Sequence, residues 1–416
     1  MISNQRYNEA YAWIWLPETT APVVAGLLSA EDNSLFFNYG KSYLERENAI
    51  SLYEPEMPLR AGALPLLTGM SMPSCIRDAA PDAWGRRVII NNKLGLKGTT
   101  TDSAQLDELT YLLESGSDRI GALDFQHSPS NYVPRIAASA SLAELLESAE
   151  RVENGAPLSP ELDQALNHAT AIGGARPKAL ISGNGKKYIA KFSSSTDLYN
   201  VIKAEFIAMR LAKLSGLNVA SVELTKSSNK DVLLIERFDR ISTQGGWQRK
   251  SILSALTILG LDEMMARYAS YEKFAGIIRS EFVDATSTLK ELFSRLVFNI
   301  LCGNTDDHAR NHAAFWNGKE LSLTPAYDIC PQGRTGNEAS QAMLISGNNN
   351  LSQLKTCLET AHTFLLSEQQ ARDIFEKQKT AIESNWATVC DEAQLSVIDR
   401  KLLWGRQFFN PYSVEE

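Results

Sequence analysis

The sequence predicts an α+β protein: a mixed α/β small lobe precedes an all-helical large lobe, with an additional N-terminal α+β subdomain. Three observations predict it. Residues 10–126 mix short, turn-broken apolar strands with helical periodicity. Residues 172–238 run as Gly-rich turn, strand, strand, helix, strand, strand. From Ser251 onward the apolar spacing is almost wholly helical.

The chain has 416 residues, enough for roughly two to three domains of ~100–200 residues each. Hydrophobic residues at 44% and charged residues at 22% are the balance of a globular chain with a sizeable core. A formal net charge of −8 argues against autonomous, tight DNA binding, which needs clustered Lys and Arg to neutralise phosphates. The five cysteines are far apart with no C-x-x-C pair, so reduced thiols are expected rather than a disulfide framework or zinc site. Met1–Gln5 is polar, and the early apolar stretch Trp13–Leu16 is too short for a signal or a span. A cytoplasmic protein with no membrane partner is expected.

The elements follow in order. Residues 10–28, broken by Pro17 and Pro22, read as two short strands, and Asn33–Tyr39 as a third. Residues 58–73 are rich in Gly and Pro and read as a loop. A helix begins near Pro81, Leu106–Leu113 is helical, and the chain turns at Gly116 into a strand, closing a first domain over 1–126. Residues 127–135 suit a linker. Helices are expected at Ser141–Arg151 and Pro160–His168, then strands at Lys178–Ser182 and Lys187–Phe192. An amphipathic helix spans about Asn200–Ser215, and strands at Ala220–Thr225 and Val232–Phe238 follow. That order is the order of a protein-kinase small lobe, giving a second domain over 140–238 and a helical third over 239–416. The overall expectation is therefore a two-lobed protein-kinase-like fold. In the helical part, helices are expected around LSALTILG, Tyr268–Ile278, Ser287–Cys302, Glu368–Asn385 and Glu392–Phe408. Their main interruption, Gly303–Asp328, is polar and rich in Asp, Asn and His, the kind of loop that carries function.

The strongest chemical signal is Asn304-Thr305-Asp306-Asp307-His308-Ala309-Arg310-Asn311. Phosphoryl transfer needs a carboxylate to orient the attacking hydroxyl and an oxygen ligand for magnesium nearby. The spacing D-x-x-x-x-N from Asp306 to Asn311 supplies both. A second metal carboxylate is expected from Asp328, after a strand at Leu321–Thr324. The same residues would also suit an N-cap and a turn. Lys191, inside the apolar run Tyr188–Phe192, must meet a counter-charge or project into a cleft, with Glu205 the natural partner on the next helix. Gly173-Gly174-Ala175-Arg176-Pro177-Lys178 could cradle phosphate or simply turn a hairpin. Glu236-Arg237-Phe238 ends an apolar strand where backbone groups could meet adenine, or where a salt bridge could close the strand. The oxygen-rich set around His308 suits magnesium better than zinc. His312 reads as structural, and Trp84-Gly85-Arg86-Arg87 as a solvated helix face.

At these residues the sequence resembles the HipA family of bacterial serine/threonine kinases, toxins of HipBA-type toxin–antitoxin systems. The resemblance includes FNYGKSYLERENAISL, CIRDAAPDAWGRRVI, GGARPKALI, YIAKF, VLLIERFDR, NTDDHARNHAAFW and LTPAYDICPQ. It implies Asp306 as catalytic base and Asn311 and Asp328 as magnesium ligands. Lys191 would hold the α/β phosphates of ATP, and Gly173 through Lys178 would lie against the triphosphate. Glu236, Arg237 and Phe238 would frame the nucleotide, with Tyr327 beside it and His308 by the γ-phosphate. The resemblance further implies a HipB-like helix-turn-helix antitoxin as partner and an aminoacyl-tRNA synthetase as a protein substrate. DNA would be reached only through the antitoxin. Family members autophosphorylate a serine just before the Gly-rich turn; here Ala171 stands at that position, with Thr170 beside it.

Overall fold

The computed structural model describes residues 7–94, 104, 106–136, 140–154, 156, 159, 162, 174–334 and 336–415. The expected helix Pro160–His168 and the positions Thr170, Ala171 and Gly173 lie outside these residues. The chain divides into two compact units. The first comprises 1–196, 225–253 and 316–319; the second comprises 197–224, 254–315 and 320–416.

In the first unit, β1 (Glu9–Ile14), β2 (Val23–Glu31), β3 (Ser34–Tyr39) and β4 (Leu123–Gln126) form a sheet of order β3-β2-β1-β4. Strands β1 and β2, β1 and β4, and β2 and β3 pair antiparallel, with Tyr11 opposite both Leu27 and Gln126. On β3 the period-2 pattern turns Leu35, Phe37 and Tyr39 inward. Helices α1 (Ala83–Leu94) and α2 (Glu108–Glu114) belong to the same unit. The second sheet joins β5 (Lys178–Gly183), β6 (Lys186–Phe192), β7 (Val222–Ser227) and β8 (Lys230–Glu236) in the order β5-β6-β8-β7.

Helix α3 (Leu142–Glu153) starts with a capping box: the Ser141 side chain accepts from the Glu144 backbone N–H while Glu144 reaches back. Its Leu145, Leu146, Ala149 and Val152 pack with Trp84 and Val88 of α1 over Ala179, Ala190, Phe192 and Val232. Each large apolar side chain so buried contributes roughly 1.5–3 kcal/mol. Trp84 fixes α1 further, its indole N–H donating to the Lys178 carbonyl at 3.1 Å.

Two segments depart from expectation. The hairpin β9 (Arg240–Thr243) and β10 (Gly246–Arg249) was not foreseen, although Gly245-Gly246 is a hairpin signal. Ser251–Ser254, expected to be helical, is strand β11. Ser254 caps the single helical turn Ala255–Ile258, and a cap residue must hold extended backbone. The group Trp84-Gly85-Arg86-Arg87 is not a solvated face either. Trp84 and Gly85 are buried, and Arg86 forms two hydrogen bonds to Glu108 at 2.6 and 2.7 Å.

Among its described residues the second unit is mainly helical, and it also holds β12 (Ala313–Trp316, whose last residue belongs to the first unit), β13 (Leu321–Leu323) and the start of β7, Val222–Leu224. Its helices are α4 (Val201–Leu214), α5 (Tyr271–Glu281), α6 (Ala285–Cys302), α7 (Leu354–Thr360), α8 (Glu368–Glu392) and α9 (Val397–Leu403). The chain breaks between α8 and α9 at Gln394, in left-handed backbone, so the expected helix 392–408 is shorter. Phe293 of α6 lies between Phe364 and Phe375 of α8, with ring centroids 5.2 and 6.3 Å away. Arg210 of α4 binds Glu392 with two hydrogen bonds of 2.9 and 3.0 Å. Gly303 ends α6 at φ +71°. A Cβ there would stand 2.6 Å from the Gln407 carbonyl oxygen, so only glycine fits the turn into the polar loop.

Candidate active site

Helix α6 delivers the polar loop, and buried amides fix its exit. Asn304 donates its side-chain amide to the Asn299 Oδ1 at 3.0 Å, and Gln341 donates to the Asn304 carbonyl at 3.1 Å. Beyond it, the Asp306 side chain is exposed, whereas Asp307 is buried at 1% exposure. A short 3-10 turn at Ala309–Asn311 then brings Asn311 back. Its Nδ2 donates to the Asp306 carbonyl at 3.4 Å. The His308 backbone N–H also donates to that carbonyl, at 2.9 Å.

Asp328 enters from the segment after β13. The Ala326 N–H donates to the Asn218 carbonyl at 2.8 Å, and the Ala220 N–H donates to the Ala326 carbonyl at 2.9 Å. Arg295, buried in α6, holds the same strand end through the Thr324 carbonyl at 2.8 Å. Tyr327 donates its hydroxyl to the Arg310 carbonyl at 2.7 Å, tying this segment to the loop. Asp328 itself sits at φ +58°, a left-handed conformation costly for a side chain with a Cβ and concentrated at functional sites.

The electrostatics bring the carboxylates together. Partial burial raises the Asp306 carboxyl above its ordinary range; His308 opposes the shift, and the charges of Asp328 and Asp307 add to it. Two carboxylates that repel each other beside an amide are a donor set a hard divalent cation would satisfy. Among the described residues there is no group of three or more His, Cys, Asp or Glu that could hold a metal alone. Magnesium does not require one, since it keeps waters and phosphate oxygens in its shell. The donors present fit that ion.

In the first unit, Lys178 and Lys191 are directly opposite one another across β5 and β6, on the same face, and both are buried. Two cations side by side create positive potential suited to phosphate. Gly174 stands at φ +96°, and a Cβ there would collide with the Lys178 ammonium. The Gly174 N–H donates to the Asp82 carboxylate, so this N–H is committed within the protein. Ala175 is exposed and Arg176 half-buried, while the Pro177 carbonyl accepts from the Phe192 N–H at 3.0 Å. Asp82 was not singled out in the sequence; its position just before α1 is the signal that could have found it.

The strand end divides by residue. Glu236 pairs with Lys186 at 2.6 Å, and Phe238 is half-buried. Arg237, expected to frame the nucleotide, is instead a structural residue. Its guanidinium donates to Asp239 at 2.9 and 2.8 Å, to Asp118 at 3.0 Å and to the Arg119 carbonyl at 2.6 Å. Its backbone N–H donates to the Lys187 carbonyl at 2.8 Å. Lys191 and Glu205 are each buried in their own unit.

His312 is buried and structural, as its reading predicted, with Nε2 2.9 Å from the Asp307 carboxylate. All five cysteines are free and buried.

The HipA-like C-terminal domain model matches residues 170–386, over half the chain, and the HipA N-terminal domain model matches residues 14–126. The chain belongs to the HipA family. It is 26% identical over 190 residues to the serine/threonine-protein kinase toxin HipA of Shewanella oneidensis. That alignment spans 38% of this chain and 42% of that protein, less than half of either. It is 25% identical over 327 residues to the putative kinase Y4mE of Sinorhizobium fredii, covering 70% of this chain and 71% of that one. Among solved structures, HipA from the Shewanella oneidensis HipA, HipB and operator DNA complex superposes with a TM-score of 0.67 at 20% identity. It covers 95% of this chain and 98% of that one. The α+β, kinase-like fold is therefore shared. No helix among the described residues is long and apolar enough to cross a membrane.

Proposed function

We propose that the protein is an ATP- and magnesium-dependent serine/threonine protein kinase that acts as the toxin of a toxin–antitoxin pair. The observation that carries this reading is the loop Asp306–Asn311 with the Asp328 carboxylate close enough to raise the Asp306 carboxyl. Asp306 is the exposed carboxylate, free to orient a serine or threonine hydroxyl and take its proton. Asn311 and Asp328 are the magnesium ligands; the bound ion would neutralise charge on the phosphate oxygens. His308, whose Nδ1 is buried without a hydrogen-bond partner among the described residues, faces the γ-phosphate in this reading. Lys191 and Lys178 hold phosphate, with Gly173, Gly174, Ala175, Arg176 and Pro177 lining it, and Glu236, Phe238 and Tyr327 frame the nucleotide. The assignment of functional parts follows the boundaries 1–126, 140–238 and 239–416.

The Shewanella relative was solved with HipB and operator DNA, which supports a HipB-like antitoxin as this chain's partner and DNA contact through that partner. The family resemblance points to an aminoacyl-tRNA synthetase as substrate and to the cytoplasm as the place of action. With Ala171 unable to accept a phosphate, restraint falls to the partner, the alternative being autophosphorylation moved to Thr170. A catalytically silent co-repressor would retain the partner but not the chemistry, and a small-molecule kinase would not need the N-terminal domain. Phosphoproteomics of cells expressing the wild type or Asp306→Asn separates these readings. New phosphoserine or phosphothreonine sites should appear on specific proteins with the wild type alone. Identical phosphoproteomes would refute the protein-kinase reading.

A further inference from the structure

The candidate base and one candidate metal ligand each have a neighbour turned into the core. Asp307 follows Asp306, His312 follows Asn311, and both neighbours are almost fully buried. The Asp307 carboxylate accepts from His312 Nε2 at 2.9 Å, bridging the two ends of the loop. The Tyr271 hydroxyl, from the first residue of α5, donates to the other Asp307 oxygen and lies 3.1 Å from His312 Nε2. The Tyr271 ring meets the His312 ring edge-on at 5.4 Å, and Phe274 packs against that imidazole at 6.4 Å. The His312 carbonyl accepts from the Ala255 N–H at 2.8 Å, anchoring the loop's exit.

Burying a carboxylate is costly unless hydrogen bonds compensate it. Here both oxygens of Asp307 are satisfied, one from inside the loop and one from α5. The loop turns at Asp306, whose carbonyl accepts from the His308 N–H, and it leaves Asp306 exposed while Asp307 beside it is buried, so holding Asp307 inward helps to fix where Asp306 points. Holding His312 likewise sets where Asn311 emerges. We infer that Tyr271, Asp307 and His312 form a positioning unit that staples the loop shut and keeps Asp306 and Asn311 in register. None of the three needs to touch substrate or metal. The inference rests on the proposed function for its catalytic consequence, but its structural core does not.

The test uses the full chain and three variants: Tyr271→Phe, His312→Ala and Phe274→Leu. Tyr271→Phe removes only a hydroxyl, and Phe274→Leu loosens the packing against His312 while leaving all the hydrogen bonds of the staple in place. Amide exchange over residues 304–312, read without nucleotide, should accelerate about tenfold or more in Tyr271→Phe and His312→Ala, but not in Phe274→Leu. With ATP and magnesium, transfer of the γ-phosphate to water should fall about tenfold to a hundredfold in the first two, with half-saturation by magnesium shifted upward. His312→Gln, which keeps a donor for Asp307, should recover part of that loss. Unchanged exchange in Tyr271→Phe, or exchange that merely tracks melting temperature across all variants, would overturn the staple. If the wild type transfers no phosphate yet the exchange pattern holds, the kinase reading fails and the staple stands.

Discussion

Two charged clusters in this molecule are built on opposite plans. In the first unit, Asp118 and Asp239 face Arg237 and Arg240, with Lys187 2.6 Å from Asp118. Burial alone would raise both carboxyls, yet the guanidinium groups hold Asp118 well below its ordinary range and lower Asp239 too. In the second unit, partial burial raises the Asp306 carboxyl, His308 opposes the shift, and the like charges of Asp328 and Asp307 add to it. The first cluster is neutralised from within and can only hold structure. The second sets like charges beside one another, opposed by His308; in the proposed function a cation brought to the site completes it.

The comparison is broken most directly by removing charges from each side. Asp328→Ala should lower phosphoryl transfer by more than about 100-fold, since a metal ligand matters at least as much as its supporting hydrogen bonds. It should also weaken the magnesium-dependent rise in melting temperature on adding ATP, as should Lys191→Ala. Transfer and thermal shift equal to wild type would remove Asp328 from the site.

On the other side, Asp239→Ala strands two buried guanidinium groups and should destabilise the fold by about 3–5 kcal/mol, read by urea unfolding. Any folded fraction should keep its affinity for ATP. A variant of unchanged stability would show that the cluster is not structural.

The pH dependence sharpens the contrast further, because the two shifts have opposite signs. Asp118 and Asp239 have folded values below their unfolded ones. Their stabilisation is therefore present above the ordinary carboxylate pKa of about 3.9 and is lost as pH falls through the folded values. Asp306 has a raised folded value, so in the metal-free chain it costs stability as pH climbs from the ordinary carboxylate pKa to that value, and the full cost is present above it. The smallest effect follows: Asp306→Asn should slightly raise the metal-free melting temperature at pH 7. The gain should vanish below pH ~4, where the native carboxyl is protonated as well. A loss of melting temperature at pH 7 would contradict the placement of Asp306 among like charges.

These clusters were unequally legible in the sequence. The loop from Asp306 to Asn311 stood out because its pattern is local, with candidate base and candidate metal ligand within six residues. Lys191 stood out because a cation inside an apolar strand demands a reason. For Arg237 the alternative reading, a salt-bridged strand end, describes the structure: Asp239 lies two residues away, whereas the second partner, Asp118, lies 119 residues away and no periodicity links them. The staple was half visible: His312 read as structural, but Tyr271 lies 36 residues before Asp307, and only the fold unites them. Helix α8, expected to end at Asn385, runs on to Glu392, and the expected next helix from Glu392 starts only at Val397 because the left-handed turn at Gln394, which no apolar pattern records, stands between them.

The most direct measurement of the central claim follows γ-labelled ATP with magnesium in wild type and Asp306→Asn, with melting temperature read on the same samples. The account predicts that both proteins fold and gain stability from magnesium and ATP. Transfer of the label should persist in the wild type and fall by about 10²–10⁴-fold in the variant. Transfer at near wild-type rate by Asp306→Asn would contradict it.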